Sequence, residues 1–315
     1  MSATVDIDRR MLVVPAVALV IAALLGYLLG RQPARAPVRE STHTGSVAGV
    51  LLQLPSRWRS APGAQEIPGL QLRDPVALAP QGNASGAALI VGALPSGQPG
   101  PLPATLLSAL RRPLDPAVVS LQEAQAYRYT NVSIAGFARN VAIYVVPSPG
   151  AEPTALVCYA SPAQAAELAT CQRIVASVTL PGHAQSYDLT PQPEYARQLS
   201  AAITALDAKR SSLRVQMSDS ASARRVAKFA EALAHAFAQA AGTLSGLETT
   251  LANGAAQAAL SGAIVQAHSA YVVLARAAAR RDARAYDAAR GQVEAAESAV
   301  DTALQNYSLL GYRLA

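Results

Sequence analysis

The stretch LVCYASPAQAAELATCQRIV, residues 156–175, decides how the middle of the chain is read. Residues 156–160 form a short apolar run of strand type. Ser161-Pro162 breaks it, and Pro162 suits the first turn of a helix that follows. A strand that turns straight into a helix lying back over its sheet is the closing unit of an α+β layer fold. The only two cysteines of the chain, Cys158 and Cys171, fall one on each element. Three readings stand open: a disulfide, two buried thiols or a pair of metal ligands. A metal would need at least two more ligands. His183, the nearest, forms no ligand cluster with anything around it. A disulfide is expected in an oxidising compartment, and two small apolar side chains in a reducing one. The choice depends on which side of a membrane this segment occupies.

Topology is set near the start. Residues 11–30, MLVVPAVALVIAALLGYLLG, carry no charge over twenty positions, and about 20 such residues span a hydrocarbon core. A cleaved signal peptide usually has an apolar region of about 7–15 residues. The best small-residue site downstream, ARA at 34–36, is followed by Pro37. An uncleaved anchor is therefore expected, with residues 1–10 as a cytoplasmic tail. Arg9 and Arg10 precede the span, while Arg31, Arg35 and Arg39 follow it, which slightly favours the opposite orientation. The paired cysteines and the lack of any cytoplasmic enzyme motif favour export. Ala18, Ala22, Gly26 and Gly30 make a small-xxx-small face through which two copies would pair as a homodimer, although alanine is common throughout this chain. Residues 31–44, RQPARAPVRESTHT, read as a proline-containing tether with a reach of about 45–50 Å.

Residues 45–182 show strand periods. SVAGVLLQLP reads as a strand leading into SRWRSAPG, whose lone Trp58 is read as a lid on the core. GLQLRDPVALAP and GAALIVGALP give two more strands. LPATLLSALRRP is a helix, with Leu102, Leu106, Leu107 and Leu110 at helical spacing. QAYRYTNVSI, ARNVAIYVVPS and PTALVCYA are three further strands. In the first of these, Tyr127 and Tyr129 face one way and Arg128 the other. The expected order is three strands, a helix, three strands and a helix, in a mostly antiparallel sheet. LLQLPSRWR, the later helix and the final strand–helix pair resemble the Mog1/PsbP-like fold, which implies a shape and not an activity. PGLQLRDPVALAP, QAYRYTNVSIAGF and AIYVVPSPG followed by TALVCYA resemble exported single-pass envelope proteins of actinobacteria, including the extracellular halves of serine/threonine kinases. That resemblance implies signalling only through a separate cytoplasmic partner, since this chain has no kinase motif.

Residues 183–193 read as a linker, and residues 194–312 as an alanine-rich antiparallel bundle of four helices, or of three long ones. The first helix shows Tyr195, Leu199, Ala202, Leu206 and Leu213 on one face. The second shows Val226, Ala230, Leu233, Phe237, Ala240, Leu244, Leu247 and Leu251. The third shows Leu260, Ile264, Ala267, Tyr271, Leu274 and Ala278. The fourth, capped near Asp282, shows Tyr286, Ala289, Val293, Ala296, Val300, Leu304 and Tyr307. These are coiled-coil-like seams joined by short connections. Arg276, Arg280 and Arg284 fall every four residues if the helix continues through Asp282. If the chain turns there, they gather at one end of the bundle. Either way they are candidate contacts for an anionic lipid headgroup or phosphate polymer. The plainer reading is a solvated basic face balanced by Asp282 and Asp287.

Composition limits the function classes. The chain is 51% hydrophobic and 15% charged, too apolar for disorder. Its net charge of +6 is spread along the sequence, so no nucleic-acid partner is expected. Lys209 and Lys228 are the only lysines, an arginine bias that points to a GC-rich genome. No Gly-x-Ser-x-Gly, His-Glu-x-x-His, Walker or Gly-x-Gly-x-x-Gly motif occurs. His235 and His268 sit singly on different helices, and Asp74 is an acid without a partner. No catalytic, metal or cofactor residue is assigned. The expectation is a non-enzymatic, membrane-anchored extracytoplasmic binding or scaffold protein of the cell envelope, contacting the lipid bilayer and a protein partner. The alternative is a sensor accessory that binds a small ligand and modulates a membrane kinase or transporter.

Overall fold

A computed structural model describes residues 41–62, 64, 66–82, 86–148, 152–180 and 188–314. The expected anchor at 11–30, most of the tether and His183 lie outside the described residues.

The fold is α+β, with a mostly antiparallel sheet region followed by a helical one. Strands β1 (Thr42–Val47) and β2 (Val50–Pro55) form a hairpin of their own. Seven strands make the main sheet: β3 (Trp58–Ser60), β4 (Arg73–Pro80), β5 (Ala87–Ala93), β6 (Pro116–Ser120), β7 (Gln125–Ile134), β8 (Phe137–Val146) and β9 (Thr154–Ala160). Their spatial order is β3-β4-β5-β9-β8-β7-β6, and every pairing is antiparallel. Helix α1 (Ala104–Ala109) interrupts the strands. A 3-10 turn at Pro162–Gln164 then leads into α2 (Ala165–Ala176).

The strand count corrects the expected one, five before α1 and four after it. SVAGVLLQLP folds as a hairpin because Ala48 and Gly49 both take positive φ, 47° and 80°, the backbone of a two-residue hairpin turn. Alanine in the first of these places gave no Asn-Gly type signal. β1 also begins at Thr42, inside the stretch read as tether. β6 opens on Pro116, which masks it in the sequence. It is an edge strand, where a missing N–H costs no ladder bond.

β9 sits mid-sheet between β5 and β8, which is why 156–160 is a continuous apolar run with neighbours on both edges. One sheet face, with Leu89, Leu156, Cys158 and Tyr144, packs under α2 and the hairpin. Leu51 and Thr179 exchange backbone hydrogen bonds of 2.9 and 3.0 Å, tying the hairpin to the chain leaving α2. Trp58 closes this layer at 1% exposure. The Cys158–Cys171 disulfide staples β9 to α2, with Cα atoms 5.8 Å apart. On the opposite face Tyr127, Tyr129, Ile143, Val157 and Tyr159 pack with Leu106 of α1. Arg128, between the two tyrosines, points away from that core and is half-buried.

Four helices follow: α3 (Pro193–Ser218), α4 (Ala223–Ser245), α5 (Gly254–Arg280) and α6 (Ala283–Leu309). At 1.5 Å per residue each is about 35–40 Å long. The connections are short, and neighbours run antiparallel. The expected seam residues of α5 are all buried, as are those of α4 from Val226 to Leu244. α4 ends at Ser245 with Gly246 as its C-cap, so it stops short of Leu247 and Leu251. Leu251 stands 73% exposed. In α3, Ile203 takes the buried place expected for Ala202. α5 has the length and hydropathy of a membrane span. Twelve of its residues are nonetheless buried in the bundle.

From Thr42 onward the chain packs as one compact unit. A continuous apolar cluster joins the tyrosine face of the sheet to the helices. Tyr129 on β7 donates to the Leu309 carbonyl at the end of α6, at 2.8 Å. Gln125 accepts from the Leu189 N–H at 2.8 Å, pinning the linker to the sheet. A Cβ at Gly100 would strike the Asn306 side chain, so the loop at 94–101 lies close on α6.

Candidate binding site at the bundle tip

The antiparallel arrangement puts the α3–α4 turn and the α5–α6 turn at one end of the bundle. The α6 terminus at the other end meets the sheet. Arg281 leaves the helix in the left-handed region, φ 55°. Asp282 then caps α6, its carboxylate accepting from the Ala285 N–H at 3.0 Å. The chain therefore turns after Arg280, and Arg280 and Arg284 flank that turn with Arg276 one turn back on α5. All three are exposed. None makes an ion pair among the described residues.

Folding gathers more charge here than the sequence order suggests. Residues 211–230 and 273–290, within about two turns of the tip, contain nine basic and three acidic side chains. The remaining bundle, 191–315, contains four basic and seven acidic ones. Arg214 and Arg290, not singled out from the sequence, belong to this end, as do Arg224, Arg225 and Lys228. A net +6 tip therefore opposes a net −3 remainder, an asymmetry that attracts anions to one end.

Below the tip lies a buried polar cluster. Glu297 of α6 is 5% exposed. It accepts from the Tyr271 hydroxyl at 2.7 Å and pairs with Arg214 at 3.1 Å and Arg210 at 3.5 Å. Arg210 also reaches Asp207 at 2.8 Å and stands over the Phe237 ring. Burial, followed by the bond to Glu297, raises the Tyr271 pKa far above the ordinary phenol value. The carboxylate is therefore fully engaged, and the cluster cross-links α3, α5 and α6. It is a structural network.

Two cavities flank this cluster towards the tip. The smaller, about 430 Å³, is walled by Ala223, Ala277, Ala278, Arg281 and Ala283. The larger, about 480 Å³, is walled by Arg214, Met217, Leu274, Arg290, Val293 and Glu294. Both are bordered by Ser220, Val226 and Tyr286. The Ser220 hydroxyl is sealed from solvent with no hydrogen-bond partner, an arrangement that costs about 1–3 kcal/mol.

At the sheet end a second polar network is closed. Tyr195 and Tyr307 hydroxyls lie 2.8 Å apart, and both donate to Gln257, whose amide donates to the Leu244 carbonyl. A third cavity, about 290 Å³, lies between sheet and bundle, walled by the proline-rich loop at 94–101, Tyr127, Val145, Leu251 and Leu310.

The remaining sequence candidates are placed apart from these sites. His268 bonds the Ala234 carbonyl at 2.9 Å, and His235 faces Gln239 on the exposed side of α4. Among the described residues no three His, Cys, Asp or Glu side chains converge as metal ligands. Asp74 and Asn131 both take positive φ at bulges, in β4 and β7. No protein-family model matches the sequence, and no curated protein matches it.

Proposed function

We propose that this chain is a non-enzymatic protein of the cell envelope, anchored through residues 11–30, that holds its folded part outside the cytoplasm and presents the bundle tip to an anionic partner. The charge separation along the bundle carries this reading: a net +6 end and a net −3 remainder within one compact unit. The twenty uncharged residues of 11–30 support anchoring, and the Cys158–Cys171 disulfide supports an oxidising compartment. The sheet region is assigned to the Mog1/PsbP-like fold. Support comes from the LLQLPSRWR hairpin arm ending on buried Trp58 and from the closing β9–α2 pair.

Photocrosslinking from Ala279 at the tip and from Gln81 on the sheet, in the native envelope, tests the reading. Adducts are expected from the tip and are expected to disappear on reversing Arg280 and Arg284 to Glu. Adducts from Gln81 alone, or a chain untouched by external protease in wall-stripped cells, would refute it.

The sensor-accessory reading is favoured by one observation, the cavity between sheet and bundle. A ligand lodged there would bridge the two layers. It would show as crosslinks from the 94–101 loop that a small molecule competes away.

A further inference from the structure

We infer that the bundle tip contains a built site for a single-chain anionic amphiphile, its apolar body held in the two tip cavities and its anionic group at the arginine rim. The inference rests on the tip being the binding end and names the chemistry of what it takes.

The bundle core thins at this end. Val226, Ala227 and Ala278 form a small apolar cluster of their own, with Met217 and Tyr286 packed against it. Beside it lie the cavities of about 430 and 480 Å³, next to one another across Ser220, Val226 and Tyr286. Both volumes fall within the ~300–1,000 Å³ of small-molecule sites.

In the larger cavity the wall charges are already matched. Arg290 faces Glu294 at 3.8 Å, and Arg214 holds Glu297 at 3.1 Å. Asp282 is engaged as a helix cap. A compact ion therefore gains nothing by entering, whereas an apolar chain gains contact with Val226, Leu274, Ala277, Ala278 and Val293. At the mouth the balance reverses. Arg224, Arg225, Arg280, Arg281 and Arg284 are exposed, and no ion pair engages them among the described residues. An anionic head stays at that rim, and a cationic one is repelled.

The test uses the full chain in nanodiscs of zwitterionic lipid. The probe is dodecanoic acid bearing a photoreactive diazirine, with labelled peptides mapped by mass spectrometry. Labelling is expected to concentrate on residues 217–226 and 274–293, and unlabelled dodecanoate should compete while dodecyltrimethylammonium and inorganic phosphate do not. Ala283→Trp fills the smaller cavity from an exposed position, and Ala223→Trp does so from the opposite wall. Each should cut labelling at least tenfold with helicity unchanged. Nanodiscs doped with an anionic phospholipid carrying the same diazirine separate the sources. Label on the same peptides identifies a bilayer lipid, and label from the free acid alone identifies a soluble amphiphile. Labelling spread evenly over the helices, unaffected by both tryptophans or equally competed by the cation, overturns the site. If reversing the rim arginines abolishes partner crosslinks while these peptides never take up label, the amphiphile is refuted and the tip remains the binding end.

Discussion

The Tyr129 hydroxyl, on the seventh strand, donates to the carbonyl of Leu309, 180 residues later, at the end of the last helix. The bond is buried and lies within the apolar cluster shared by sheet and bundle. Tyr129→Phe keeps the ring and removes the donor. The Leu309 carbonyl then loses its sheet partner, so stability should fall by about 1–3 kcal/mol, read as a lower urea midpoint. An unchanged midpoint would mean that the two layers touch without holding one another.

The disulfide joins residues 13 apart in sequence. Closing a loop of this size removes unfolded-state freedom worth about 3 kcal/mol. The double variant Cys158→Ala/Cys171→Ala should unfold at correspondingly lower denaturant, and reductant should lower the wild-type midpoint towards that of the variant. Mass spectrometry under non-reducing conditions should find the two cysteine peptides linked. Two alkylatable thiols in the native protein would contradict both the bond and the proposed compartment.

Several tyrosines tie stability to pH. Burial raises the pKa of Tyr129 well above 10.0, with Tyr127 adding to it. Burial and bonded neighbours, Glu297 for one and Tyr195 for the other, do the same to Tyr271 and Tyr307. In the unfolded chain these phenols ionise near 10. The folded state holds protons that the unfolded state releases, so stability is full below about pH 10 and falls as pH rises beyond it. The phenolate absorbance of these three should appear only together with the loss of helicity. Ionisation of these three ahead of unfolding would refute the closed packing around them.

Much of this architecture is legible in the residues. Cys158 and Cys171 are placed correctly because a central strand is apolar on both faces and the Pro162 turn admits little variation. The four helices are legible because their seams repeat over many turns. The strands that hide are those whose signal is short or masked: β6 behind Pro116, and the hairpin turn at Ala48-Gly49. The tip is half legible. Arg276, Arg280 and Arg284 are neighbours in sequence, but Arg214, Arg224 and Arg225 join them only when α3 and α4 return beside α5 and α6. A modest net charge for the whole bundle conceals the separation, since summing along a chain discards which end of a helix each side chain occupies.

Ser220 gives the sharpest check on the tip. Its hydroxyl is buried between two cavities without a partner, whereas Ser218, two residues earlier, donates to the Val215 carbonyl at 2.8 Å and is exposed. Replacing an unsatisfied buried hydroxyl with a methyl-sized group removes a desolvation penalty and leaves no partner stranded. Ser220→Ala should therefore raise the stability of the unliganded protein by about 1 kcal/mol, while Ser218→Ala should change it by less than about 0.5 kcal/mol. A loss of stability on Ser220→Ala without ligand would mean that the hydroxyl is already satisfied within the fold.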